Sequence, residues 1–102
     1  AKQFRFVILR NNIPVGFIDL FNYNKLNVGI GIIIDERYHK KGFASESIKI
    51  LSEYVFKELK VNKIISNVHR DNLKSIRLFK KCGFKLNSSF VHEEIVELNI
   101  NQ

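Results

Sequence analysis

A chain of 102 residues, 45% hydrophobic and 26% charged, holds enough apolar material for one small core and too little for two. Its apolar runs are too short to cross a bilayer, no signal-peptide pattern opens it, and the single cysteine, Cys82, excludes an internal disulfide; one domain in the reducing cytoplasm is the expectation. A net charge of +7 points to an anionic partner without choosing among nucleic acid, an acidic membrane surface and a phosphorylated small molecule.

Residues Phe4 to Leu9 alternate with period two and read as a strand. Asn11-Asn12, both tolerant of positive φ, turns the chain into a second strand over Val15 to Leu20, with Pro14 near its start where a missing N–H does little harm. After the polar segment Asn22 to Lys25, a third strand spans Asn27 to Ile34 and is apolar on both faces, as a buried central strand is. Gly29 and Gly31 within it point to a bulge, or to a close approach by another backbone or a ligand.

From Ala44 to Leu59, Ile48, Leu51, Ser52, Val55, Phe56 and Leu59 recur at helical spacing, and the charged stripe between them reads as a solvated face. Ile64 to Val68 is a fourth strand, joined to the third through that helix and so parallel to it. A second helix follows, with Asp71 or Asn72 as N-cap, Ile76, Phe79 and Cys82 facing inward, Lys80 and Lys81 in the last turn and Gly83 at the left-handed C′ position. Phe84 to Val91 and Glu93 to Ile100 read as two closing strands, which completes a single α+β domain.

The stretch from Ile30 to Ser45 joins an apolar strand, a basic glycine-containing loop and a helix start. Such a loop brings backbone N–H groups, the positive end of a helix dipole and lysines to one place, which is a recipe for holding phosphates.

Two motifs narrow that reading. His39-Lys40-Lys41-Gly42-Phe43-Ala44 resembles the phosphate loop Q/R-x-x-G-x-G/A of the GNAT superfamily of N-acetyltransferases, with His39 in place of Gln or Arg. Asn72, Ser75, Leu78, Phe79, Gly83 and Phe84 match the superfamily's second signature in the right order and separation. The resemblance covers Gly31 to Phe84, about half of the chain, and its wording is similar to the spermidine and ribosomal-protein acetyltransferase branch.

The resemblance implies a GNAT-type acyl-CoA fold, a mixed, mostly antiparallel sheet with two helices. It implies a third strand that splays from its parallel neighbour, with the pantetheine arm of acetyl-CoA bonded to backbone groups along Ile32, Ile33 and Ile34. The pyrophosphate would lie on N–H groups of Lys40, Lys41, Gly42, Phe43, Ala44 and Ser45, beside His39. Asn72 would meet the pantetheine chain and Lys74 or Lys81 the nucleotide phosphates, with Ser75 and Phe79 also among the cofactor-binding positions, Phe79 at the one next to sulfur. The implied reaction is direct transfer of acetyl to a primary amine, such as a polyamine or protein N-terminus.

Two departures from the family pattern stand out. Many relatives carry a tyrosine at the Phe79 position as proton donor, and Phe79 has no proton to give. The family's fold normally opens with a strand and two helices before the first hairpin; their absence here reads as an incomplete, N-terminally shortened domain, as a piece of a larger protein or as a degenerate member, whose apolar surface favours self-association, a homodimer included. Asp19 corresponds to a carboxylate sometimes used on the amine proton and is the candidate base, against the reading of an ordinary strand-end carboxylate. Glu36 is a weaker candidate for that role, and Tyr38 and His39 lie near the loop.

Neither His39, His69 and His92 nor Cys82 shows metal-ligand spacing, so no metal is expected. Cys82 near a helix C-terminus reads as core packing rather than as a nucleophile. The leading function is therefore an acetyl-CoA-dependent N-acetyltransferase. A non-catalytic acyl-CoA-binding module and a basic nucleic-acid-binding module are the rivals.

Overall fold

The computed structural model describes residues 3–39 and 42–102. Asn11 and Asn12 turn the chain first, at φ 49° and 65°, joining strand β1 (Phe4–Arg10) to β2 (Ile13–Phe21). Consecutive positive φ values match the right-handed twist of the strands they connect. The hairpin register slips by one residue between Ile8 and Leu9, where Leu9 faces Pro14 and Ile8 faces Gly16.

Strand β3 (Asn27–Ile34) pairs antiparallel with β2 in unbroken register from Gly16 opposite Ile34 to Phe21 opposite Gly29. Of the two readings of Gly29 and Gly31, a bulge is absent from β3, and the irregularity lies in β2 instead, where Val15 is skipped between Pro14 and Gly16. Gly29 answers a side-chain approach: a Cβ there would lie 2.4 Å from the Phe21 ring. At Gly31 a Cβ would meet only ordinary contact, 3.7 Å from that ring.

A short 3-10 turn (Glu36–Tyr38) leads to helix α1 (Phe43–Tyr54), which continues as one π-helical segment, Val55–Leu59. Strand β4 (Lys63–His69), helix α2 (Leu73–Lys81), a two-residue strand β5 (Lys85–Leu86) and β6 (Ile95–Asn101) complete the chain. The six strands run in the order β1-β2-β3-β4-β6-β5, with β3 and β4 parallel and the other neighbours antiparallel. This is the mixed, mostly antiparallel α+β architecture that the sequence implied.

Both helices pack on one face of the sheet. Ile48, Leu51 and Val55 of the first and Phe79 and Cys82 of the second meet Ile18, Leu20, Val28, Ile30, Ile64 and Leu98 in one core. Phe79 is 3% exposed and packs edge-on against Phe84, with ring centroids 5.0 Å apart. Gly83, at φ 96°, makes the left-handed turn that returns Phe84 to this core. No helix among the described residues is long and apolar enough to cross a membrane.

The two closing strands differ from expectation. The first shrinks from Phe84–Val91 to Lys85–Leu86, because local side-chain bonds take over the backbone. Asn87 accepts from the Ser89 N–H, and His92 Nδ1 accepts from the N–H groups of Glu94 and Ile95. The second, β6, pairs along its whole length with β4, from Lys63 opposite Asn101 to His69 opposite Ile95.

Candidate functional site

β3 and β4 share only three residue pairs, Asn27 with Lys63, Val28 with Ile64 and Gly29 with Ile65. Beyond them β3 stays with β2 and β4 with β6, so a gap opens between two strands of one sheet. The N–H of Asp35 donates to the Val15 carbonyl at 2.7 Å, towards β2, and so turns the preceding carbonyl, that of Ile34, to the gap. By the two-residue period, the backbone N–H and C=O of Ile32 also face the gap.

The turn after β3 is pinned by Asp35. Its carboxylate accepts from the backbone N–H of Arg37 at 3.0 Å and from the guanidinium of the same residue at 3.1 and 3.0 Å. Those bonds hold the Asp35 carboxyl down at about 2. Gly42 then caps α1 at φ 79°, a left-handed conformation that L side chains rarely adopt.

Among the described residues no side chain caps this helix. The first-turn N–H groups of α1, at Phe43, Ala44 and Ser45, are the donors that a helix leaves without an intrahelical partner. The Ser45 hydroxyl itself donates back to the Gly42 carbonyl.

The facing wall comes from α2. The Asn72 side chain accepts from the Ser75 N–H at 3.1 Å, which starts the helix and leaves its NH2 as the group it can offer a ligand. His39 joins the two walls: its Nε2–H donates to the Ile34 carbonyl at 2.8 Å, and its Nδ1 accepts from the Lys74 ammonium at 2.9 Å.

Between these walls lies a cleft of about 510 Å³, lined by Ile32, Ile33, Ile34, Tyr38, His39, Gly42, Phe43, Ala44, Ser45, Asn72, Lys74, Ser75, Leu78 and Lys81. No Asp or Glu is among these described lining residues, whereas Lys74 and Lys81 are. The donor set, an uncapped helix N-terminus with two ammonium groups, suits a multiply charged anion. The gap behind it suits an extended amide chain.

The family model for the acetyltransferase (GNAT) domain matches residues 1–85. The chain belongs to the GNAT acetyltransferase family. Among GNAT relatives, the spermidine N(1)-acetyltransferase of Escherichia coli is 30% identical over 91 residues, covering 87% of this chain and 49% of that protein. The uncharacterized prophage-derived N-acetyltransferase YokL of Bacillus subtilis is 38% identical over 86 residues, 80% of this chain and 48% of that one. The chain thus spans about half the length of the curated relatives it matches.

Among solved GNAT structures, the spermidine N-acetyltransferase of Vibrio cholerae, in complex with CoA and spermine, superposes with a TM-score of 0.87 at 27% identity. That match covers 98% of this chain and 66% of the other.

The GNAT signatures fall unevenly on the structure. Of the residues singled out from the sequence, Ile32 to Ile34, His39, Gly42 to Ser45, Asn72, Lys74, Ser75 and Lys81 line the cleft. Lys40 and Lys41 lie outside the described residues. Phe79 is not at the cleft surface, since its ring is buried against Phe84.

Asp19 does not line the cleft either; it sits on β2 in a bidentate pair with Arg5. That hydrogen bond holds its carboxyl below the usual range, which weakens it as a base. Glu36 lies in the exposed 3-10 turn. Tyr38 and Leu78 were not selected as ligand contacts from the sequence. Tyr38 turns inward beside Phe43, with ring centroids 6.0 Å apart, and Leu78 lies one position from a residue whose helical phase is buried.

Cys82 is buried, and its Sγ–H donates to the Ser45 carbonyl at 3.6 Å, tying the end of α2 to the start of α1. Burial pushes its thiol pKa up, which is the environment of a packing residue rather than of a nucleophile.

Proposed function

We propose that this chain binds acetyl-CoA in the cleft and, as an N-acetyltransferase domain, transfers the acetyl group to a primary amine. The observation that carries the reading is the parting of β3 and β4 after Gly29 and Ile65, next to a helix N-terminus with no side-chain cap. Two independent requirements of one ligand, an amide-bearing arm and a pyrophosphate, then meet in a single cleft.

In this reading the first-turn N–H groups from Phe43 to Ser45 hold the pyrophosphate, with Lys74 and Lys81 meeting the remaining phosphate charge. Backbone donors are fixed before the ligand arrives, so they need no reorganisation. The Ile32 backbone pairs with the pantetheine amides as a missing strand would, and Asn72 donates to the same arm. Ile34 offers chiefly its N–H, because its carbonyl already accepts from His39.

Acetyl-CoA supplies an activated thioester carbonyl to an unprotonated amine. The protein's part is to hold that carbonyl beside the gap and to present β3 backbone N–H groups to the oxygen on which charge develops. With Phe79 buried and Asp19 paired to Arg5, positioning carries more of the rate than side-chain proton transfer. The spermidine enzymes among the relatives support a polyamine-class acceptor.

The test is release of free thiol from acetyl-CoA with spermidine, a peptide N-terminus and an aminosugar as acceptors. Amine-dependent release with at least one of them is the expected result. Binding of CoA with no release on any amine would reduce the chain to a non-catalytic CoA-binding module.

A further inference from the structure

His39 is held from both sides of the cleft, by the Ile34 carbonyl at the end of β3 and by Lys74 in the first turn of α2. A carbonyl only accepts hydrogen bonds and an ammonium only donates them. The imidazole in this arrangement is therefore neutral, with its proton on Nε2 and a lone pair on Nδ1. We propose that His39 is a positioning residue of the cofactor site: as a neutral bridge between Ile34 and Lys74 it holds the Lys74 ammonium at the cleft.

The proposal rests on the reading of the cleft as an acetyl-CoA site and adds to it the residue that readies one of its phosphate contacts. A lysine side chain has four rotatable bonds, and fixing its head before the ligand arrives removes most of the ordering cost from the binding step. The bridge also spans 35 residues of sequence and ties the loop wall to the helix wall.

Removing a histidine that gripped phosphate directly would cost the same binding whether or not Lys74 is present, whereas a bridge acts through Lys74 alone, so the readout is the Kd for CoA of His39→Gln, His39→Ala and Lys74→Ala and of the His39→Ala/Lys74→Ala double variant. Glutamine has an NH2 for the Ile34 carbonyl and an oxygen for Lys74.

His39→Gln is expected within about threefold of wild type and His39→Ala about tenfold weaker, the size of one charge-assisted hydrogen bond. When Lys74 is already alanine, His39→Ala should cost less than about twofold more. An equal loss for His39→Ala in both backgrounds would overturn the bridge. Wild-type protein that binds no CoA would overturn the acetyl-CoA reading and the bridge with it; CoA binding that His39→Ala leaves unchanged overturns the bridge alone.

Discussion

Arg5 and Asp19 stand opposite each other across β1 and β2, the guanidinium donating to both carboxylate oxygens at 2.7 and 2.9 Å. The pairing depends on the slip at Pro14: with the register of Arg10–Ile13 and Leu9–Pro14 continued, Arg5 would face Ile18 instead. Val15 is skipped in the ladder between Pro14 and Gly16, and that irregularity near the turn decides which side chains meet at the far end of the hairpin. The Arg5 guanidinium also lies 3.8 Å from the centre of the Phe17 ring, a second anchor on the same face.

That relationship predicts a structural role for Asp19. Asp19→Asn should leave kcat for acetyl transfer within a few-fold of wild type, while a working general base would cost about 10²–10⁴-fold. Steady-state rates of the two proteins at one pH decide between these.

Gly29 should resist substitution through Phe21 rather than through backbone strain. A Cβ at Gly29 would lie 2.4 to 2.9 Å from three atoms of the Phe21 ring. Gly29→Ala is expected to destabilise by about 1–3 kcal/mol, the usual cost of overpacking. Phe21→Ala in the same chain should recover part of that loss, so urea unfolding of the two single variants and the double variant should be non-additive.

Phe79 should behave as a core residue. Its ring is almost fully enclosed, and Phe79→Ala is expected to cost about 3–5 kcal/mol by chemical denaturation. A cost below about 1 kcal/mol would place the ring at a surface and contradict the packing described above.

Acid should weaken the turn before α1. The folded-state pKa of Asp35 is depressed from 3.8 to about 2, so its contribution to stability is fully present above pH 4 and is lost as pH falls towards 2. Asp35→Asn should remove that part of the acid dependence. Unfolding midpoints of both proteins between pH 5 and 2 should converge as the pH falls.

Much of this architecture is written in local sequence. Asn27 to Ile34 forms a strand with the bounds that its two-faced apolar pattern implies, Asn72 caps α2 as an Asn before a helical run does, and Gly83 takes the left-handed position past the last turn. Where local bonding competes with a ladder, the pattern misleads. Phe84 to Val91 has the residues of a strand, yet Asn87 and His92 bend the chain after Leu86. The contact between His39 and Lys74 is tertiary, made by placing α2 beside the end of β3, and no periodicity encodes it. The seclusion of Phe79 has the same origin, since it depends on Gly83 returning Phe84 onto the ring.

The most direct test of the acetyl-CoA site is a titration of the isotope-labelled protein with acetyl-CoA, followed through its backbone amide resonances. A second, apolar groove between β1 and α1, lined by Phe6, Ile8, Ile50 and Tyr54 among others, serves as an internal control. The site described here predicts saturable shifts concentrated at Ile32, Ile34, Gly42 to Ser45, Asn72 and Lys74. Shifts confined to the β1–α1 groove, or none at a large excess of ligand, would contradict it.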